Sequence, residues 1–314
     1  MRQPAALLAA LAMAGSAVAA PAPAKLTFTT LGTNSGPIPR HDRSEPANLV
    51  HFGDQWILVD AGDGAAEQLA KAHAPLDQIQ TLLISHLHFD HTGGLFAVLS
   101  LRFQTSVTAP LTIYGPPGTE ETVRRLFAAM APGAAAIQTM RLSGGGPDAG
   151  VKVIEVRDGQ SFKIGKIEVT AAENSHYATL QPSPSPPVSL SYRFDAPGRS
   201  ILYTGDTGPS VKVEQLCKGV DLVVSEIMDP SLAIARIKAN RPGGPPALYQ
   251  IVEDHFRREH LSPDEVGKLA TACGAKTVAA THNALEREEL AGARKQIAAR
   301  FKGRIVFAED LDTF

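Results

Sequence analysis

The sequence predicts an α/β protein in which two sheets lie sandwiched between helical layers. Short apolar runs with strand character recur in both halves, helical segments separate many of them, and neither type collects in one region. The chain has 314 residues, 44% of them apolar. That is enough to bury one sizeable core, and α/β folds reach this length as a single domain.

The elements follow in order. KLTFTTLG, NLVHFG and QWILVDAG are strands, the last two joined as a hairpin at Gly53-Asp54. Gly64 to His73 is helical, IQTLLIS is a buried strand, Leu95 to Arg102 a helix, LTIYG a strand and Thr119 to Met130 a helix. Gly144-Gly145-Gly146-Pro147 marks a surface loop; no helix opens there, so it is no phosphate cradle. VKVIEV, KIEVTAAE, VSLSYRF and RSILYTGD are strands, with QPSPSPP a loop among them. A helix near Val211 to Cys217 precedes the strand DLVVSE. Residues 230–259 are mostly helical and interrupted by RPGGPP, which reads as a mobile turn or a homodimer contact. SPDE at Ser262 to Glu265 is a capping box with Pro263 at the first helical position, so a helix starts there. KTVAAT is a strand, Glu286 to Phe301 a helix and RIVFAED the last strand.

The chain begins MRQPAALLAALAMAGSAVAAPAPAK. Arg2 supplies a positive start, Ala5 to Ala14 an apolar stretch, and Ala17-Val18-Ala19 an A-x-A cleavage signal. The expectation is a signal peptide over 1–19, one domain over 20–314, and a periplasmic or secreted location. Disulfides persist in such a compartment. Cys217 and Cys273 each lie just before a strand, so neighbouring strands would make a bond between them geometrically feasible; two buried thiols are the alternative. A formal net charge of -2 leaves no electrostatic footprint for nucleic acid, and none is expected as a partner. Outside the first residues no apolar run suits stable membrane insertion.

The chemistry gathers in TLLISHLHFDHTGG, residues 81–94, where a strand runs into a helix. His86 and His88 alternate with Leu87, so in extended chain both imidazoles point the same way. Asp90 and His91 sit at the turn into the helix and can face a neighbouring point. Three more candidates follow apolar strands: His176 after KIEVTAAENS, Asp206 after SILYTG and His282 after KTVAAT. A catalytic zinc takes about three protein ligands plus water, and a carboxylate can bridge two ions. His86, His88 and His176 would hold one ion and Asp90, His91 and His282 the other, with Asp206 between them. Any one of these residues alone would read as an ordinary core His or turn Asp. His41, His51, His73 and His255 have no partner pattern and read as structural or surface residues.

HLHFDH resembles the H-x-H-x-D-H signature of the metallo-β-lactamase superfamily. LVDAGDG resembles its upstream D-x-G-x-G element, TGDT its bridging-aspartate motif and THN its last ligand motif. The resemblance implies a four-layer αββα sandwich of two mixed sheets with a dinuclear site between them, and Asp60 as a carboxylate behind the ligands. It also implies two divalent ions, Zn2+ first, with Mn2+ or Fe2+ as alternatives.

LGTNSGPIPRHDRSEPANLV and EHLSPDEVGKLATACGAKTVAATH resemble the ribonuclease Z-like group. By that match His260 is an active-site residue outside the ligand set, suited to orienting or protonating a leaving group. Glu226, at the end of DLVVSE, is placed to orient it, and Asp90 is expected to hold the attacking water while ligating the second ion. A tRNA-processing ribonuclease Z carries a long arm between its third His and its bridging Asp. Here VSLSYRF and RSILYTG fill most of that interval, so the resemblance points to the exported arylsulfatase-like branch. The function expected is hydrolysis of small-molecule aryl sulfates, phosphate esters or phosphodiesters by a water acidified between two cations. Hydrolysis of lactones or carboxylic esters is the alternative, and a non-catalytic metal-binding scaffold the third reading.

Overall fold

The computed structural model describes residues 24–137 and 145–314; the leader reading over 1–19 lies outside them, as does Gly144. One sheet has the order β1 (Thr27–Gly32), β2 (Ala47–Phe52), β3 (Gln55–Ala61), β4 (Ile79–Leu83), β5 (Leu111–Gly115), β6 (Val151–Glu155). Its first three strands are antiparallel, and β3 to β6 pair in parallel. The second sheet sets β7 (Ser161–Ile164), β8 (Ile167–Glu173), β9 (Leu190–Ala196), β10 (Arg199–Tyr203), β11 (Leu222–Ile227), β12 (Thr277–Asn283) and β13 (Arg304–Phe307) side by side in chain order. Here β7 to β10 are antiparallel and β10 to β13 parallel. Both sheets are mixed, as the αββα expectation requires.

Strand alternation builds the layers. Ile57 and Val59 of β3, Ile201 and Tyr203 of β10, and Leu222 and Val224 of β11 share the core between the sheets. Their neighbours Leu58, Leu202 and Val223 face outward. Outside the first sheet they meet α1 (Ala65–Lys71), α3 (Leu95–Gln104) and α4 (Thr119–Ile137), which contribute Leu69, Leu95, Val98 and Val123. Outside the second sheet lie α5 (Val211–Leu216), α8 (Pro263–Cys273) and α9 (Leu290–Arg300), contributing Val213, Val266 and Ile297. Each large side chain buried this way contributes about 1.5–3 kcal/mol. The remaining helices are the single turn α2 (Phe89–Thr92), α6 (Pro230–Asn240) and α7 (Pro246–Glu259), the last two divided at RPGGPP. Among the described residues no helix is long and apolar enough to cross a membrane.

The capping box forms: Ser262 N–H donates to the Glu265 carboxylate at 2.8 Å, and Glu265 N–H donates back to Ser262 Oγ. Three boundaries differ from the sequence reading. SFKI is a strand, β7, paired with β8 across Gly165-Lys166. Helix α4 continues through Pro132 to Ile137. Helix α9 starts at Leu290 rather than Glu286, because Glu289 binds the Glu286 N–H at 2.8 Å and Arg236 at 2.7 Å, fixing 286–289 as a turn.

Cys217 and Cys273 are bonded, with Cα atoms 5.0 Å apart. They end α5 and α8, and the strands that follow, β11 and β12, are parallel neighbours. The bond closes a separation of 56 residues, and loop-closure entropy puts its contribution at up to about 4 kcal/mol. Replacing both cysteines by serine is expected to lower the denaturant midpoint and to steepen the transition, because the uncrosslinked denatured chain expands and exposes more surface.

Candidate metal centre

The parallel run of β8, β10 and β12 brings their carboxyl ends to one edge of the second sheet, where α/β folds place their sites. His176 follows β8, Asp206 follows β10 and His282 lies near the end of β12. Across the sandwich, the segment after β4 delivers His86 and His88, and α2 carries Asp90 and His91. All seven residues converge. Ligand-capable atoms of His86, His88 and His176 lie within 4.8 Å of one another, as do those of Asp90, His91, Asp206 and His282.

Asp206 sits between the two groups. Its Oδ2 is 3.9 Å from both His86 Nε2 and His176 Nε2 and 3.3 Å from His282 Nε2, while Oδ1 is 3.3 Å from His91 Nε2. Asp90 Oδ2 lies 3.4 Å from His282 Nε2 and 3.6 Å from His91 Nε2. His86 Nε2, His91 Nε2, Asp206 Oδ1 and His282 Nδ1 are buried with no hydrogen-bond partner. An unpaired buried polar atom costs about 1–3 kcal/mol, so four in one place mark a binding site rather than a core. Lone-pair donors of the His and carboxylate type, in two groups sharing one aspartate, fit two divalent cations.

Electrostatics divides the groups in the same way. Burial holds His86, His88 and His176 below the usual imidazole range, His176 at about 3, so each presents a neutral lone pair. Burial also opposes charge on His91 and His282, but the Asp206 carboxylate outweighs it, helped by Asp60 at His91 and Asp90 at His282. His91 is held well above the usual range and His282 at about 9. The same carboxylates would favour a bound cation.

Partners behind the ligands fix the rings. Asp60, fully buried, binds His91 Nδ1 at 2.9 Å and accepts from Ser85 N at 2.7 Å and Tyr203 OH at 2.7 Å. This is the carboxylate that the D-x-G-x-G element suggests; Tyr203 gave no signal beyond that of a core aromatic. His176 Nδ1 contacts the Glu259 carbonyl at 3.1 Å, a backbone partner invisible in the sequence. Asp60 and His282 both have left-handed backbones, with φ of 58° and 41°. Non-glycine residues hold such angles only where surrounding structure imposes them.

His260 and Glu226 are adjacent as well: His260 Nδ1 is 2.8 Å from Glu226 Oε2, and Glu226 Oε1 accepts from Thr207 N at 2.8 Å. A ring nitrogen of His260 lies within 4.8 Å of ligand atoms of His176 and Asp206. Burial raises Glu226 well above the carboxylate range and lowers His260 to about 4. Nδ1 is thus engaged by Glu226, which leaves Nε2 as the ring nitrogen outside that contact. His255, read as structural, contacts Glu259 at 2.7 Å. His51 Nε2 lies 2.8 Å from the Gly53 carbonyl, in the β2–β3 hairpin. Arg43 donates to the carbonyl of Asn283 at 3.0 Å, so it braces the segment beside His282.

Two facing sheets, outer helices and a His/Asp cluster at the strand ends, together with the family and relatives that follow, make this a metal-dependent hydrolase acting on ester bonds. The chain belongs to the metallo-β-lactamase superfamily: the profile of the beta-lactamase superfamily domain matches residues 55–283. It is 31% identical over 291 residues to ribonuclease Z of Mycobacterium avium (strain 104), covering 91% of this chain and 96% of that protein. A metallo-β-lactamase fold protein from Bacillus subtilis superposes with a TM-score of 0.66 at 18% identity, covering 92% of this chain and 98% of that one. The short form of human tRNase Z superposes at 0.63 with 21% identity and the same coverages.

These relatives correct two expectations. Nucleic acid was excluded on net charge and the missing arm, yet the whole-chain similarity is to ribonuclease Z. Net charge is a sum over the surface and says little about one cleft. The periplasmic or secreted location is overturned by the same similarity, which outweighs an Ala-rich amino terminus that itself lies outside the described residues.

Proposed function

We propose that the chain is a phosphodiesterase acting on RNA, with His86, His88, His176, Asp90, His91, Asp206 and His282 holding two divalent cations, Zn2+ first. The observation that carries it is Asp206, buried between two groups of ligand atoms, several of them without hydrogen bonds. The ribonuclease Z relatives favour a phosphodiester over an aryl sulfate.

Bound cations would acidify water and neutralise charge on a phosphoryl oxygen. The chain's own residues do the rest. Asp206 and Asp60 fix the imidazoles, and Asp90, with 11% of its side chain exposed, offers a carboxylate oxygen to orient the incoming water. His260 Nε2–H donates its proton to the departing oxygen, while Glu226 holds Nδ1 and stabilises the ring before and after transfer.

The test is a panel of an RNA with a 3′ extension, bis(4-nitrophenyl) phosphate, an aryl sulfate and a lactone, run on metal-analysed protein. Phosphodiesters are expected to turn over fastest. Chelation should abolish that turnover and added Zn2+ or Mn2+ restore it. Faster turnover of the sulfate or lactone would sink the reading.

A further inference from the structure

After β13 the chain returns from the second sheet to the first. Phe314 and Phe28 exchange backbone hydrogen bonds, and Leu311 N–H donates to Thr30 O. On this tail the Asp310 carboxylate accepts four hydrogen bonds. Oδ1 takes Thr33 N at 2.9 Å and Thr33 Oγ1 at 2.8 Å; Oδ2 takes Ser44 N at 2.7 Å and Gln68 Nε2 at 2.8 Å. Three of the four come from the two ends of the 33–44 loop, whose neck is closed by Asn34 N–H donating to Ser44 O at 2.9 Å.

That loop meets the metal centre twice. A Cβ on Gly36 would stand 2.4 Å from Asp90 Oδ2, so the bare glycine backbone lies against that carboxylate. Asn283, next to His282, donates its N–H to Thr33 O at 2.9 Å and receives Arg43 Nη1 on its own carbonyl at 3.0 Å. Asp90 and His282 belong to the same half of the centre, 3.4 Å apart, and the φ of 41° at His282 has to be held from outside. The partners of His176 lie elsewhere, at Glu259 and His88.

We propose that Asp310 is a positioning residue for the half of the centre formed by Asp90, His91, Asp206 and His282, acting through the 33–44 loop. This rests on the ligand grouping proposed above. A carboxylate suits the place because it only accepts, and all four neighbours donate. Asparagine has the same shape but turns one oxygen into a donor facing N–H groups.

Metal content and release to a chelator, measured on the purified holoprotein, test it. Wild type should retain two ions. Asp310→Asn should release one ion roughly ten- to a hundredfold faster and the other at the wild-type rate, with a cooperative melt. Asp312→Asn removes a tail carboxylate that accepts from Glu309 N instead of from the loop, and should match wild type. In an Asp90→Ala background, Asp310→Asn should add no further loss; in a His88→Ala background it should add its full effect. Thr33→Val, which removes one of the four bonds, should give a smaller loss of the same selectivity and decides the matter if Asp310→Asn does not fold. Unchanged retention, or equal loosening of both ions, overturns the proposal. A wild type that holds fewer than two ions would instead refute the ligand grouping.

Discussion

Replacing Asp206 with alanine is expected to strip the centre of metal and cut phosphodiester turnover by at least roughly a thousandfold. Removing a partner behind a ligand already costs about 10–100-fold, and Asp206 is itself a shared candidate ligand. Its two oxygens lie 3.3 Å from His91 and His282 and 3.9 Å from His86 and His176, so one substitution takes an anion from both groups at once. The variant would also leave His91 and His282 buried without the carboxylate that favours their charge. Metal analysis and steady-state kinetics check this together. A variant that kept two ions and turned over within about tenfold of wild type would show that Asp206 is not shared.

The second large effect is expected at His260, and its size depends on the leaving group. His260→Ala should keep both ions, because Nδ1 is committed to Glu226. It should lose about 10^2–10^4 in rate on RNA, whose departing alkoxide needs a proton. On bis(4-nitrophenyl) phosphate, where the departing phenolate is stable, the loss should be slight. A plot of rate against leaving-group pKa should therefore steepen. Glu226→Gln should move it the same way by less, since the ring keeps a hydrogen-bond partner but loses the carboxylate. A uniform loss across leaving groups would assign His260 to structure rather than proton transfer.

The candidate metal centre was legible because its residues occupy short local patterns. HLHFDH, TGDT and THN each place a ligand directly after an apolar strand, and parallel strands then bring them together without further instruction. SPDE and RPGGPP were readable for the same reason, as local backbone chemistry. Other features depended on partners far along the chain. Asp310 binds Thr33, 277 residues away, and nothing near it in the sequence announces the contact. SFKI was missed as an edge strand of four residues, half exposed, where alternation is too brief to register. The helix expected over Thr119 to Met130 runs on to Ile137 with Pro132 inside it. Net charge excluded nucleic acid, an expectation that the similarity to ribonuclease Z overturns, because a sum over the whole surface carries no information on any one part of it.

The first sheet's side supplies His86, His88, Asp90 and His91, and the second supplies His176, Asp206 and His282. Two cations bound among them would therefore act as a latch across the seam of the sandwich, since neither half alone holds either proposed set with its shared aspartate. An ion that binds only the closed form adds about 4 kcal/mol of stability at a thousandfold excess over its dissociation constant. Loss of metal should thus loosen the seam as well as stop the chemistry. Molecules short of metal would then be the ones most readily opened and cleaved by proteases.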